Sequence, residues 1–339
     1  MKKITVMLLL ACFLITCGCA PVVKVNEQSM QIQQEQAAYN KEHYPVVLEG
    51  YNSRNEKQEY IYNKPPQRII AVWQDTIELL LALGVGDRIV AGMGVPDKKY
   101  LRPEYQAQYE KIPYTSLQNL DVETIMMMEP DFIIGWYSTF GSKVLRGTDF
   151  WLSRGVNTYI APSSRASAHQ NKLEEEYEYI LDAGKIFDKN ERAEALVKEM
   201  QQEITFAIDR TRQMPQRPRG IIMEFLGKEV RTYGEKTLAG DIFTQLGGEL
   251  IAKKDTLSLE QVVDLDPDVI FLVITERNYG NEQVFLDRVY QNKALSHLRC
   301  AREKRVYTLP LYAVYSAGVR TYDGIKIMAR GLYPELYKE

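Results

Sequence analysis

Aromatic and arginine side chains stand directly behind the apolar runs of this 339-residue sequence. Trp73 follows the run 69–72, and Met93 follows 89–91. Trp136 and Tyr137 follow 132–135, and the loop Pro162-Ser163-Ser164-Arg165 follows 159–161. In the second half, Phe225 follows 220–224, and Glu276, Arg277 and Tyr279 follow 268–274. Tyr312, Tyr315 and Arg320 lie in LPLYAVYSAGVR behind 306–309, and Tyr233 lies in the strand–turn VRTYGEK. Rings stack on a flat ligand, and guanidinium groups pair with oxygens two at a time. Open α/β sheets take ligands at the carboxyl ends of their strands. Trp73, Met93, Trp136, Tyr137, Arg165, Tyr233, Tyr279, Tyr312, Tyr315 and Arg320 are therefore the candidates for contact with a large, flat or anionic ligand.

Other chemistries find little support. The three histidines are His43, His169 and His297, and none has a carboxylate or cysteine at metal-ligand spacing. A direct metal site is not expected. Met126-Met127-Met128 reads as helix core, not as a metal box. GVGD at 84–87 follows a helix and is a turn, not a dinucleotide loop. No Ser-His-Asp set or phosphate loop emerges, so an enzyme is the distant reading. The formal net charge of −3, with no basic stripe, argues against nucleic acid. Tyrosine outnumbers phenylalanine 22 to 10, which suits a recognition surface.

The elements that position these residues occur twice. ETIMMMEPDFII (123–134) and EQVVDLDPDVIF (260–271) share acid-Pro-Asp before an apolar run, 137 residues apart. PQRIIAVW (66–73) resembles PRGIIMEF (218–225), and DTIELLLALGVGDRIVA (75–91) resembles GDIFTQLGGELIA (240–252), in the same order. A period this long means two similar domains, as the chain length also allows. In each copy a short apolar helix ends before proline, and a strand buried on both faces follows. Alternating strands and helices predict a parallel sheet covered by helices in each half. Between the copies, Asp188 with Glu191 three residues on predicts a capped helix to Arg212, apolar at Ala193, Val197, Met200, Ile204 and Ala207. YPVVLEGYNSRNEKQEYIYN alternates around a turn and predicts a hairpin. The expected division is an N-terminal lobe at 44–187, an interlobe helix at 188–212 and a C-terminal lobe at 213–339.

The N-terminus reads as an export signal. Lys2 and Lys3 precede an apolar stretch (4–15) too short to span a bilayer. TCGCAP follows, and small residues before a cysteine resemble a lipobox. Cys19 is the expected lipidated residue, with Cys17 as the alternative. Residues 1–19 are then a lipoprotein signal peptide and 20–43 a polar, glutamine-rich tether. Only Cys300 lies in the body, so no internal disulfide framework is expected.

This arrangement resembles the class III substrate-binding lipoproteins of ABC importers, which carry ferric siderophores, haem or cobalamin. The resemblance rests on PQRIIAVWQDTIELLLALGVGDRIVAG, NLDVETIMMMEPDFIIG, ERAEALVKEM, TLAGDIFTQLGGELIA, SLEQVVDLDPDVIFL and REKRVYTLP in that order. It implies an α/β fold of two Rossmann-like lobes with central parallel sheets, joined by a single long helix. It also implies an extracytoplasmic, lipid-anchored monomer that docks on an ABC permease and its ATPase. The ligand it suggests is an iron(III)–siderophore complex, with haem or cobalamin as alternatives. Such proteins present an acid on each lobe to the permease. Glu276 or Glu282 fits that role in the second lobe, and Glu104 stands in where GWYSTFGSK offers no carboxylate. A surface lipoprotein without a transported ligand is the remaining alternative.

Overall fold

Runs of apolar residues too short and too β-branched for helices form strands buried on both faces. The computed structural model describes residues 40–165, 171–212, 214 and 216–338. Cys17, Cys19, the signal segment, residues 20–39 of the tether and His169 lie outside them. A hairpin of β1 (Val46–Tyr51) and β2 (Lys57–Tyr62) leads into the first lobe. That lobe's sheet contains β3 (Ile69–Val72), β4 (Ile89–Met93), β5 (Tyr114–Ser116), β6 (Phe132–Gly135) and β7 (Asn157–Ile160). All its pairings are parallel, in the order β5-β4-β3-β6-β7.

The second lobe departs from the expected parallel sheet. Its strands are β8 (Arg219–Leu226), β9 (Glu229–Thr232), β10 (Glu249–Leu250), β11 (Thr256–Ser258), β12 (Val269–Ile274) and β13 (Val306–Pro310). The order β11-β9-β8-β12-β13 has parallel β8-β12-β13 and antiparallel β8-β9-β11, with β10 alongside the start of β8. The cause is local. β8 turns straight back at Gly227-Lys228, where Gly227 has φ 63°, instead of entering a crossover helix.

The twin acid-Pro-Asp junctions fold alike. Glu129 (φ 47°) and Asp266 (φ 40°) both end their helices in the left-handed region. The Asp131 carboxylate accepts the Gln67 and Arg68 N–H groups at 2.8–3.1 Å, and Asp268 accepts Arg219 N–H at 2.9 Å. Arg68 in turn donates to Met128 O and Glu129 O, and Arg219 donates to Leu265 O. Each junction thus pins the start of its lobe's first sheet strand to the end of a helix. One expectation fails nearby. In the Val122–Met127 helix only Ile125 is buried, and Met127 is 85% exposed. At six residues that helix has one inward position per turn and cannot bury a run of three.

From Lys41 on the chain forms one compact unit, and the connection between its lobes differs from expectation. A helix forms at Asn190–Thr211, but it packs on the C-terminal helix Thr321–Leu332 and on the helix before it. A helix touching both lobes is the preceding one, Leu173–Phe187. It meets Gln74–Leu83 and the Pro162–Ser164 turn on one side, and Leu238–Gln245 and the Gly318–Arg320 turn on the other. Asp241 accepts Leu173 N–H at 2.9 Å and pairs with Lys172 at 2.7 Å, tying its first turn to the second lobe. Tyr159 donates to Asp182 at 3.0 Å, tying its last turns to the first lobe. Asp188 (φ 53°) ends this helix and does not cap the next. The two helices approach closely because Gly184 faces Ala193; a Cβ there would lie 2.5 Å from the alanine methyl.

Candidate ligand cleft

The carboxyl ends of β3, β4, β6, β12 and β13 face one another across a cavity of about 170 Å³. Trp73, Gln74, Asp75, Gly94, Pro96 and Trp136 form the first lobe's wall. Glu276, Tyr279, Leu311, Tyr312, Tyr315 and Ser316 form the other. The structure thus brings together Trp73, Trp136, Tyr279, Tyr312 and Tyr315 of the expected set. Gln74, Asp75 and Ser316 are lining residues that sequence reasoning passed over. The signal for the first two was present, since both directly follow Trp73 behind β3.

Trp73 is placed against its backbone preference. It has φ 82° and ψ 150°, a region open chiefly to glycine, which strains a bulky residue by roughly 1–3 kcal/mol. Hydrogen bonds hold it there: its N–H donates to Met93 O at 2.7 Å, and its carbonyl accepts Ile77 N–H at 3.1 Å. Its Nε1 donates to Thr139 Oγ1 at 3.1 Å. The ring stacks on Trp136 at 4.6 Å and lies over Gly94, where a Cβ would meet it at 3.1 Å. Trp136 donates from Nε1 to Asp75 Oδ1 at 2.9 Å and meets Tyr315 edge-on at 5.3 Å across the cleft. Tyr279 and Tyr312 pair edge-on at 5.2 Å, and Tyr100 donates to Tyr279 O at 2.9 Å from the opposite lobe.

Below the rings the lobes share buried and half-buried charge. Glu78 pairs with Arg320 at 3.0 Å, Arg320 with Asp323 at 2.6 Å, and Asp323 with Arg102 at 2.8 Å. The chain alternates in sign and crosses between lobes twice. Beside it, burial holds the Asp75 carboxyl well above the usual range, and nearby Glu176 adds to this while the Trp136 N–H opposes it. Burial also pushes Glu176 up to about 7. Its Oε2 accepts Gly318 N–H at 2.7 Å, while its Oε1 has no hydrogen-bond partner. Burial thus holds both acids toward their neutral forms, which eases the repulsion between two nearby buried carboxyls.

The remaining candidates lie elsewhere. Met93 is wholly buried because β4 runs two residues past its expected end, and its sulfur accepts Leu120 N–H at 3.2 Å. Tyr137 packs against its own lobe's core, its N–H held by Ser164 Oγ at 2.8 Å. Arg165 is buried, paired with Glu175 at 2.7 Å, and lies over the Tyr51 ring. Tyr233 is buried and donates to Glu224 at 2.9 Å. Arg320 lies behind Tyr312, 4.2 Å from its ring centre, within the interlobe charge chain. Of the acids considered for docking, Glu276 lines the cavity. Glu104 is exposed on Pro103–Tyr109, and Glu282 accepts Gly280 N–H at 2.9 Å. Among the described residues, no group of His, Cys, Asp and Glu is arranged to hold a metal ion, and no helix is long and apolar enough to cross a membrane.

An aromatic cavity between two lobes can clamp a ligand by stacking and by modest lobe movement. At about 170 Å³ it is smaller than the roughly 300–1,000 Å³ of most ligand sites, and the Trp136–Tyr315 contact closes part of it. Comparison with known proteins agrees with that architecture. The sequence profile of the family described as periplasmic binding protein matches residues 69–313. A crystal structure of a periplasmic binding protein from Veillonella parvula DSM 2008 is 44% identical, with TM-score 0.84 over 87% of this chain and 93% of that one. An uncharacterized ABC transporter substrate-binding lipoprotein, YvrC of Bacillus subtilis strain 168, is 20% identical over 87% of this chain and 88% of its own length. A protein of an ABC-type Fe3+-hydroxamate transport system from Saccharomonospora viridis DSM 43017 shares the fold at TM-score 0.65 and 21% identity, over 85% of this chain and 99% of that one.

Proposed function

Because the chain belongs to the periplasmic binding protein family, as the substrate-binding component of an ABC importer, we propose that it captures an iron(III)–siderophore complex. The chelate would sit between the lobes and be handed to the permease and ATPase of the cytoplasmic membrane. The observation that carries this reading is the cavity walled by five aromatic residues drawn from both lobes. A chelator that already saturates its iron asks the protein for ring contacts, not metal ligands. The reading is of a receptor, not an enzyme: it is a monomer held by a lipid on Cys19, or Cys17, with Glu104 and Glu282 as the acids available for the permease.

Trp73 and Trp136 both line the cavity, so tryptophan fluorescence reports its occupation directly. Titration with a ferric hydroxamate, a ferric catecholate, haemin and cyanocobalamin should give saturable quenching by at least one ferric chelate. Quenching by haemin or cobalamin alone would sink the siderophore assignment while leaving the receptor in place.

A further inference from the structure

The walls of the cleft hold acidic groups and, among the described residues, no basic ones. Asp75 and Glu276 stand on opposite sides, and among the described lining residues there is no arginine, lysine or histidine. The arginines of the interlobe charge chain are engaged there. Arg320 is paired with Glu78 and Asp323 behind Tyr312, and Arg102 is paired with Asp323. Arg277, beside Glu276 in sequence, is exposed and is not part of the wall. The remaining surface is aromatic faces, which attract cations and repel anions. A multiply anionic ligand would lose hydration against Glu276 and gain no guanidinium pairing in return.

We propose that the cleft selects by charge, taking a neutral or positively charged chelate and turning away a multiply anionic one. This deepens the siderophore reading and rests on it. A pendant ammonium of the chelate would meet the stacked Trp73 and Trp136 rings and the Glu276 carboxylate. Asp75 serves either case. Burial favours its neutral form, and a cation beside it favours the ionised one.

The test compares three iron(III) complexes by tryptophan fluorescence titration of the full chain: ferrioxamine B, with its free ammonium; ferrichrome, which is neutral; and ferric enterobactin, which is triply negative. The first or the second should saturate, with the third at least about tenfold weaker. Glu276→Gln, at an exposed position, should lower the affinity for ferrioxamine relative to ferrichrome by about fivefold or less. Glu276→Lys should narrow the gap to ferric enterobactin. Ferric enterobactin binding as tightly as ferrichrome, or an order of preference that neither substitution moves, would overturn charge selection and leave the siderophore reading standing. No binding by any of the three would overturn the siderophore reading, and charge selection with it.

Discussion

In the first lobe, the helix that follows the first sheet strand starts from Trp73 at φ 82°, with no side-chain cap. In the second lobe the helix at the matching place starts from Thr237, extended at φ −103°, whose hydroxyl accepts Gly240 N–H at 3.1 Å. The second solution stabilises a helix start by about 1 kcal/mol, while the first costs roughly 1–3 kcal/mol in backbone strain. At their acid-Pro-Asp junctions the lobes use the same parts, down to the left-handed acid and the aspartate that clasps the strand. They diverge where strands open on the cleft. A strained indole against a capped helix therefore separates what holds a lobe together from what the cleft needs.

The sharpest way to break that comparison is to ask whether the lobes are independent at all. Glu78 of the first lobe and Arg320 of the second are both buried and pair with each other. Arg320→Ala leaves Glu78 buried without its cation and should destabilise the whole unit by about 3–5 kcal/mol in urea unfolding. The double change Glu78→Leu with Arg320→Met should recover most of that loss. A single transition that barely moves in Arg320→Ala would show that the lobes stand without each other.

Glu176, on a helix touching both lobes, adds a pH dependence of its own. Its folded pKa is raised from 4.5 to about 7, so folding favours the protonated form. Its stabilising contribution is fully present below about pH 4.5 and is lost as pH rises through about 7. At 1.36 kcal/mol per unit this amounts to about 3 kcal/mol at most. Glu176→Gln should remove that slope and melt above wild type at pH 8, with no advantage at pH 4. Equal melting curves for the two proteins across this range would remove Glu176 as the source.

Much of this scaffold was legible in the sequence, because continuous apolar runs and acid-Pro-Asp junctions are local signals. β3, β6 and β12 lie within a residue or so of their expected positions. The Leu173–Phe187 helix was missed for a physical reason: its inward positions include Glu176 and Asp182, which break the apolar period. The site was half legible. The rule of looking behind each strand found the aromatic rings, but it took Arg165 and Arg320 as ligand contacts. Their partners decide otherwise, and Glu78 lies 242 residues from Arg320 in the chain. Met93 failed on a strand end, since two more residues of β4 place it inside the sheet.

The matched junctions offer a smaller, paired test. Asp131→Ala and Asp268→Ala each remove a carboxylate that holds the first residues of a sheet strand, and Asp268 also pairs with Arg299. Each should cost about 1–3 kcal/mol in stability and leave chelate affinity unchanged. A loss of affinity in either would mean that the junctions reach the cleft, against the division drawn between foundation and rim.

Trp73→Gly and Thr237→Ala finish the comparison. Glycine accepts φ 82° without strain, so the substitution relieves the backbone while it removes the ring stacked on Trp136. Relief of roughly 1–3 kcal/mol offsets loss of ring packing, including about 0.5–1.5 kcal/mol from the stacked pair, and net stability should stay within about 1 kcal/mol of wild type. Chelate affinity should fall about tenfold or more, because the ring is a central contact of the cleft. Thr237→Ala should do the reverse, losing about 1 kcal/mol of stability at unchanged affinity. If Trp73→Gly instead unfolds the lobe while Thr237→Ala is silent, the indole is part of the foundation. The strained turn then serves the fold before it serves the ligand.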